Sequence, residues 1–200
     1  QATEPISLGK LRELFRFHYD GTDHDPYLHQ NPREVYRPVS IFRTTQTHIL
    51  QVRPELPQAI GRVNYVALGM ADLGVFLPLY QGVRSYPKAY TKGTNHSSHD
   101  SAYWKFRKVQ ALGMVNYNRY APLIKETYAA FEAEADQRQH EMEEQYLAIY
   151  KTQPLRAQDL LQAFSDQLLR SALDVTDELI ETLFTRLTED IQAEYEFHGA

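Results

Sequence analysis

Imidazoles and carboxylates crowd one short segment, "HYDGTDHDPYLHQ", which brings together His18, Asp20, Asp23, His24, Asp25 and His29. Such a mixed set of nitrogen and hard oxygen donors is chemically suited to a divalent ion. The offsets do not match a calcium-binding loop, which needs a glycine for its sharp turn and a distal bidentate glutamate. Asp side chains also bond their own backbone in turns. A structural loop is therefore the first reading of the segment, ahead of a metal site or a substrate contact.

A second cluster, His96, Ser97, Ser98, His99 and Asp100, contains all three members of a Ser-His-Asp triad. Triads are defined by geometry across a fold, and adjacent residues of one loop do not point at one another correctly. The cluster reads as a polar loop that leads into a helix. Arg43 and Arg53 each sit in or beside a strand-like run, where an arginine is seldom fully buried unless paired. Arg53 reads as outward-facing with its head in water, whereas Arg43, beside Phe42 and "TTQT", admits a second reading as an arginine aimed into a polar pocket. Tyr80, Tyr90, Tyr103, Trp104 and Phe106 read first as packing aromatics. The chain has no cysteine, so it has neither a disulfide, a thiolate zinc site nor a cysteine nucleophile of its own. It also lacks a Gly-rich phosphate loop, a His-Glu-x-x-His helix and a nucleophile elbow.

The elements that must position these residues follow from period and punctuation. Leu8, Leu11, Leu14 and Phe15 lie at helical spacing, which predicts a helix over residues 6–19 with Ser7 or Thr3 as its cap. The Pro- and Asp-rich stretch from Gly21 to Pro38 is a long loop. Three β-type runs follow: Val39–Val52 with a break near Thr45, Arg62–Gly69, and Val75–Tyr80, the last two as a hairpin. Gln81–Asp100 is a surface loop. Ser101 then caps a helix that Gly113 threatens to interrupt. One apolar face runs from Ile124 through Tyr128, Phe131 and Met142 to Ile149, stops at "KTQP", and a second runs from Leu160 to Ile191. Two long antiparallel helices result. The acidic stretch "FEAEADQRQHEMEEQ" between Phe131 and Gln145 reads as a solvated helix face. Strands followed by helices without βαβ alternation define an α+β class.

With 200 residues the chain can bury a sizeable core. Its formal charge of −5 gives no general attraction for nucleic acid or an anionic membrane. No apolar run is long enough to span a bilayer. Neither nucleic acid nor membrane is expected as a partner, and no cofactor or metal is called for.

Taken in order, "LRELFRFHYDGTDHDPY", "SIFRTTQTHILQVRPELP", "RVNYVALG", "VFLPLYQGV" with "PKAY", and "SAYWKFRKVQALGMVNY" resemble the C-terminal portion of family C69 dipeptidases, the dipeptidase A group. The resemblance implies an N-terminal-nucleophile hydrolase with a four-layer αββα fold. It implies that a cysteine exposed as the first mature residue attacks the scissile carbonyl of a dipeptide, its own α-amino group handling the proton. The chain starts at Gln1 without cysteine and is shorter than the family's usual length. Residues 1–200 are thus expected to be one C-terminal fragment, inactive alone, of a cytoplasmic dipeptidase, with a short helix, loop and strands over 1–100 and helices over 101–200. Arg43 corresponds, on the same resemblance, to an accessory arginine beside the nucleophile. Two other functions stay open: a helical interaction or homo-oligomerisation module, and a metal-dependent hydrolase built on the His/Asp loop.

Overall fold

The computed structural model describes residues 5–27 and 36–195; His29 and Pro32 of the predicted loop lie outside them. The first helix, α1 (Leu8–Arg16), is capped by Ser7, whose hydroxyl accepts from the Lys10 amide at 3.1 Å. It is shorter than the predicted 6–19. The backbone becomes extended at Phe17 and then turns through Tyr19, a non-glycine residue at φ +66°. The Val39 and Ser40 amides donate to the Phe17 carbonyl, both at 3.1 Å, so the chain returns to the end of α1.

A three-stranded antiparallel sheet follows, in the order β1 (Gln46–Val52), β2 (Arg62–Leu68), β3 (Leu77–Tyr80). The predicted β2–β3 hairpin is present, with Val63 opposite Tyr80 and Val66 opposite Leu77. The long run from Val39 is not a strand before Gln46. Ile41–Thr44 is a turn closed by the Thr44 amide on the Ile41 carbonyl, and Arg43 is exposed on it. The β-branched composition was misleading because Phe42 is held by the Arg107 guanidinium stacked 4.0 Å above its ring, not by a ladder of backbone bonds. A short helix α2 (Gln58–Gly61), absent from the sequence reading, joins β1 to β2.

Three helices cover one face of the sheet: α3 (Ala102–Val115), α4 (Tyr117–Ile149) and α5 (Pro154–Glu194). Gly113 does not break α3. It is buried there because a Cβ would come within 2.7 Å of Ile124 and 2.9 Å of Leu73. Pro154 opens α5 at its first turn, where a missing amide costs nothing. The core lies between the helices and the sheet face that carries Ile49, Val63, Tyr65 and Tyr80. The α+β class expected from the sequence is the one observed.

Candidate functional site

His18 is the hub of a buried polar cluster at the end of α1. It is 1% exposed, and the Tyr19 turn swings Asp20 back so that its Oδ1 lies 2.7 Å from His18 Nε2. On the other side of the ring, Nδ1 lies 3.0 Å from Asp25 Oδ1, which also accepts from the Tyr27 amide at 3.0 Å. The loop before β3 adds Asp72, 4% exposed, with Oδ1 3.4 Å from Nε2. Helix α4 supplies Tyr117, whose hydroxyl donates to Asp72 Oδ2 at 2.5 Å and sits 2.9 Å from Nε2. It also supplies Lys125, with Nζ 2.7 Å from Asp72 Oδ1 and 3.3 Å from His18 Nε2. Ser40 fixes the backbone by accepting from the Asp72 amide at 2.9 Å.

Both ring nitrogens of His18 face carboxylate oxygens, which favours the imidazolium. Burial, the largest influence, pushes its pKa down, but the hydrogen bond and charge of Asp72 together with the charge of Asp20 outweigh it and the net shift is upward. Burial pushes the Asp72 carboxyl up, and His18 with Lys125 overrides it, holding it below the ordinary range. Burial, then Asp72, pushes the Tyr117 phenol far up, so it stays a donor. The cluster opens into a cleft of about 320 Å³ lined by Arg16, Asp20, Asp72, Lys125 and Tyr128. Of the predicted His/Asp loop, the structure gathers His18, Asp20 and Asp25 and leaves Asp23 and His24 exposed. Sequence reasoning missed Asp72, Tyr117 and Lys125. The one legible signal was an aspartate set among Met70, Ala71 and Leu73, too apolar a context for a surface turn.

A second polar layer lies under the sheet. Glu132, Gln139 and Glu143 are 6%, 6% and 8% exposed, so the acidic stretch of α4 is not simply a solvated face. Arg12 makes two bonds to Asp136 at 2.6 and 2.8 Å. Arg16 donates to Glu132 at 2.5 Å, and the same oxygen accepts from the Phe76 amide at 2.6 Å. Arg53, expected to face water, instead forks onto Glu143 at 2.7 and 2.6 Å and reaches the Ile60 carbonyl at 2.6 Å. The Glu143 hydrogen bonds, working against burial, raise the Arg53 pKa. The Tyr80 hydroxyl closes on Glu143 as well, and burial followed by that carboxylate pushes its pKa far up.

The 92–101 loop is structural, as expected. Ser98 Oγ donates to Asp100 and Lys92 pairs with it, while His96 and His99 are exposed and neither imidazole completes a triad among the described residues. Ser101 stands at the N-cap of α3, but its hydroxyl donates to the Lys92 carbonyl at 2.9 Å and does not cap. Trp104 Nε1 donates to Thr94 at 3.0 Å, Phe106 is core, and Tyr90 donates to the Leu169 carbonyl at 2.8 Å.

Residues 1–130 match the model of peptidase family C69. The chain belongs to that family. Its similarity to a probable dipeptidase of Salmonella dublin is 56% identity over 44% of this chain and 20% of the relative. It is 31% identical to dipeptidase A of Lactobacillus helveticus over 62% of this chain and 26% of the relative. With a probable dipeptidase B of Lactococcus lactis the identity is 23% over 99% of this chain and 41% of the relative. The C69 chain therefore spans from a fifth to two fifths of the length of these relatives. The matched region contains the whole His18 cluster and all three strands, whereas Glu132, Glu143 and α5 lie beyond it. No helix among the described residues is long and apolar enough to cross a membrane.

The outer face of the sheet in this C69 chain mixes polar residues, among them His48, Arg62 and Asn64, with a set of apolar ones. Strand alternation and register put Leu50, Val52, Val66, Leu68, Leu77 and Leu79 on the face away from the helices. Tyr86 and Tyr90 shelter the β3 end, but Leu50 and Val52 are 69% and 67% exposed.

Proposed function

We propose that this chain is the C-terminal segment of a C69 dipeptidase, supplying one sheet, its covering helices and part of the substrate pocket of a cytoplasmic enzyme that hydrolyses dipeptides. The apolar residues on the outer side of the sheet, with Leu50 and Val52 exposed there, carry this reading. A sheet with apolar residues on both sides is made to be packed on both, and sheet-on-sheet packing at about 10 Å is the arrangement an αββα fold requires. The nucleophile is an N-terminal cysteine belonging to the rest of the protein. Its thiolate attacks the peptide carbonyl, the neighbouring α-amine carries the proton to the leaving amine, and water resolves the thioester. Arg43 serves as the accessory residue of that centre; its exposure on the turn before β1 leaves it available to groups from the missing portion.

Expression of the family-length protein tests the reading. It should hydrolyse a panel of dipeptides and lose the activity when its first mature cysteine is replaced by alanine, while the isolated 200-residue chain shows no turnover. Retained activity in the cysteine variant, or turnover by the pure isolated chain, overturns it.

Self-association is a second reading, favoured by a groove of about 350 Å³ between α3 and α5 where Phe184 and Val115 are 60% and 56% exposed. Light scattering of the family-length protein before and after Phe184→Glu distinguishes a dimer formed there from a monomer.

A further inference from the structure

We infer that His18, Asp20 and Asp72 form a divalent-cation site in which the Lys125 ammonium is the resident competitor. The inference is independent of the dipeptidase reading, because it concerns a structural clip between the α1 turn, the loop before β3 and α4.

Donor geometry is the first observation. One ligand atom from each residue lies within 4.8 Å of the other two. His18 Nε2 is 2.7 Å from Asp20 Oδ1 and 3.4 Å from Asp72 Oδ1. An ion with bonds of about 2.0–2.2 Å to nitrogen and oxygen places neighbouring ligands about 3 Å apart, which both His18 distances already approach. The supporting bonds are also in place. A ligating histidine usually gives its other ring nitrogen to a carboxylate, and His18 Nδ1 has Asp25 at 3.0 Å. The second oxygen of Asp72 is held by Tyr117 at 2.5 Å.

A cation already occupying the centre separates this cluster from an ordinary acidic patch. Lys125 Nζ is 2.7, 3.3 and 3.9 Å from the donors on Asp72, His18 and Asp20. A divalent ion entering the centre displaces that ammonium and faces the two carboxylates in its place. The two groups that must move are the more exposed ones: the Lys125 side chain is 36% exposed and Asp20 57%, while His18 and Asp72 are 2% and 3%. The cleft beside them gives the lysine a way out and leaves room for water ligands. One imidazole and two carboxylates, without sulfur, select a borderline or hard ion of the Mn²⁺ or Zn²⁺ type over Cu⁺.

Mn²⁺ titration of the isolated chain, followed by loss of the free Mn²⁺ electron paramagnetic resonance signal and by thermal unfolding, tests the site. One equivalent should bind and raise the unfolding temperature. Lys125→Met should tighten binding by about tenfold or more, since it removes the competing charge next to the ion, and Asp72→Asn should abolish it. Circular dichroism identifies variants that keep the fold, and Asp20→Asn, at an exposed position, stands in if Asp72→Asn does not. No uptake at millimolar Mn²⁺ by either the wild-type chain or Lys125→Met overturns the inference. So does binding that the folded Asp variant retains, which marks surface carboxylates as the source.

Discussion

Glu143 concentrates what single residues contribute here. It takes a fork from Arg53, a hydrogen bond from Tyr80 and a 3.3 Å contact from Gln139, all at 8% exposure. Its removal leaves a guanidinium in a low-dielectric site with no counter-charge. Glu143→Ala should therefore destabilise the chain by about 3–5 kcal/mol in urea unfolding, whereas Arg53→Met with Glu143→Leu should recover most of that loss. Equal instability of the single and double variants would show that the packing of the site, and not the orphaned charge, sets the cost. At the surface the same chemistry acts more weakly. Lys92, and then Ser98, hold the Asp100 carboxyl down to about 2 from its ordinary 3.8. Because the folded value is the lower one, the contribution is present above pH 4 and is lost as pH falls through about 2. A nuclear magnetic resonance titration of Asp100 should place its midpoint well below the ordinary carboxylate value of 3.8.

At the scale of elements, the joint between β2 and β3 depends on one glutamine from α3. Gln110, 0% exposed, accepts from the Met70 amide at 3.0 Å and donates to the Leu68 carbonyl at 2.8 Å. Gly69, at φ +79°, makes room for it, since a Cβ there would lie 2.2 Å from the Gln110 amide oxygen. Gly69→Ala should cost roughly 2–3 kcal/mol, combining a left-handed alanine with displacement of the glutamine. Chemical denaturation checks this, and an alanine variant as stable as the parent would refute the clamp. The same elements define what could be read in advance. Long helices and the hairpin were legible because apolar period and turn chemistry are local. The turn at Arg43 was not, because it depends on Arg107 stacking on Phe42 from 65 positions away in the chain. The acidic stretch was misread for a related reason: Glu132, Asp136, Gln139 and Glu143 recur at one-face helical spacing, yet polar residues on a face signal burial only when their partners are known. Those partners, Arg12, Arg16, Tyr65 and Arg53, lie on α1, on β2 and just past the end of β1. The His18 cluster was half legible, since His18, Asp20 and Asp25 are near in sequence while Asp72 and Lys125 arrive only through tertiary packing.

For the whole molecule, the two faces of the sheet set the terms of stability and assembly. The inner face is closed by helices, and the buried acids there are met by Arg12, Arg16 and Arg53, with Nε of Arg12 and of Arg53 left without a partner. The outer face presents Leu50 and Val52 to water in adjacent antiparallel positions with Asn64 and Arg62. A strand that buries apolar side chains on one side only needs polar residues on the other, and on β1 Gln46 and His48 meet that need while Leu50 and Val52 do not. Leu50→Lys with Val52→Glu separates the two roles. In the isolated chain both side chains are already hydrated, so the double variant should leave the unfolding midpoint within about 0.5 kcal/mol of the parent while lowering dye binding and aggregation. On the proposed packing, the same charges in the family-length protein fall between layers, where an unpaired buried charge costs several kcal/mol, and the soluble yield and unfolding temperature should drop sharply. Unchanged stability in the longer protein would mean that the face stays solvent-exposed there, and the packed-sheet assembly would be wrong.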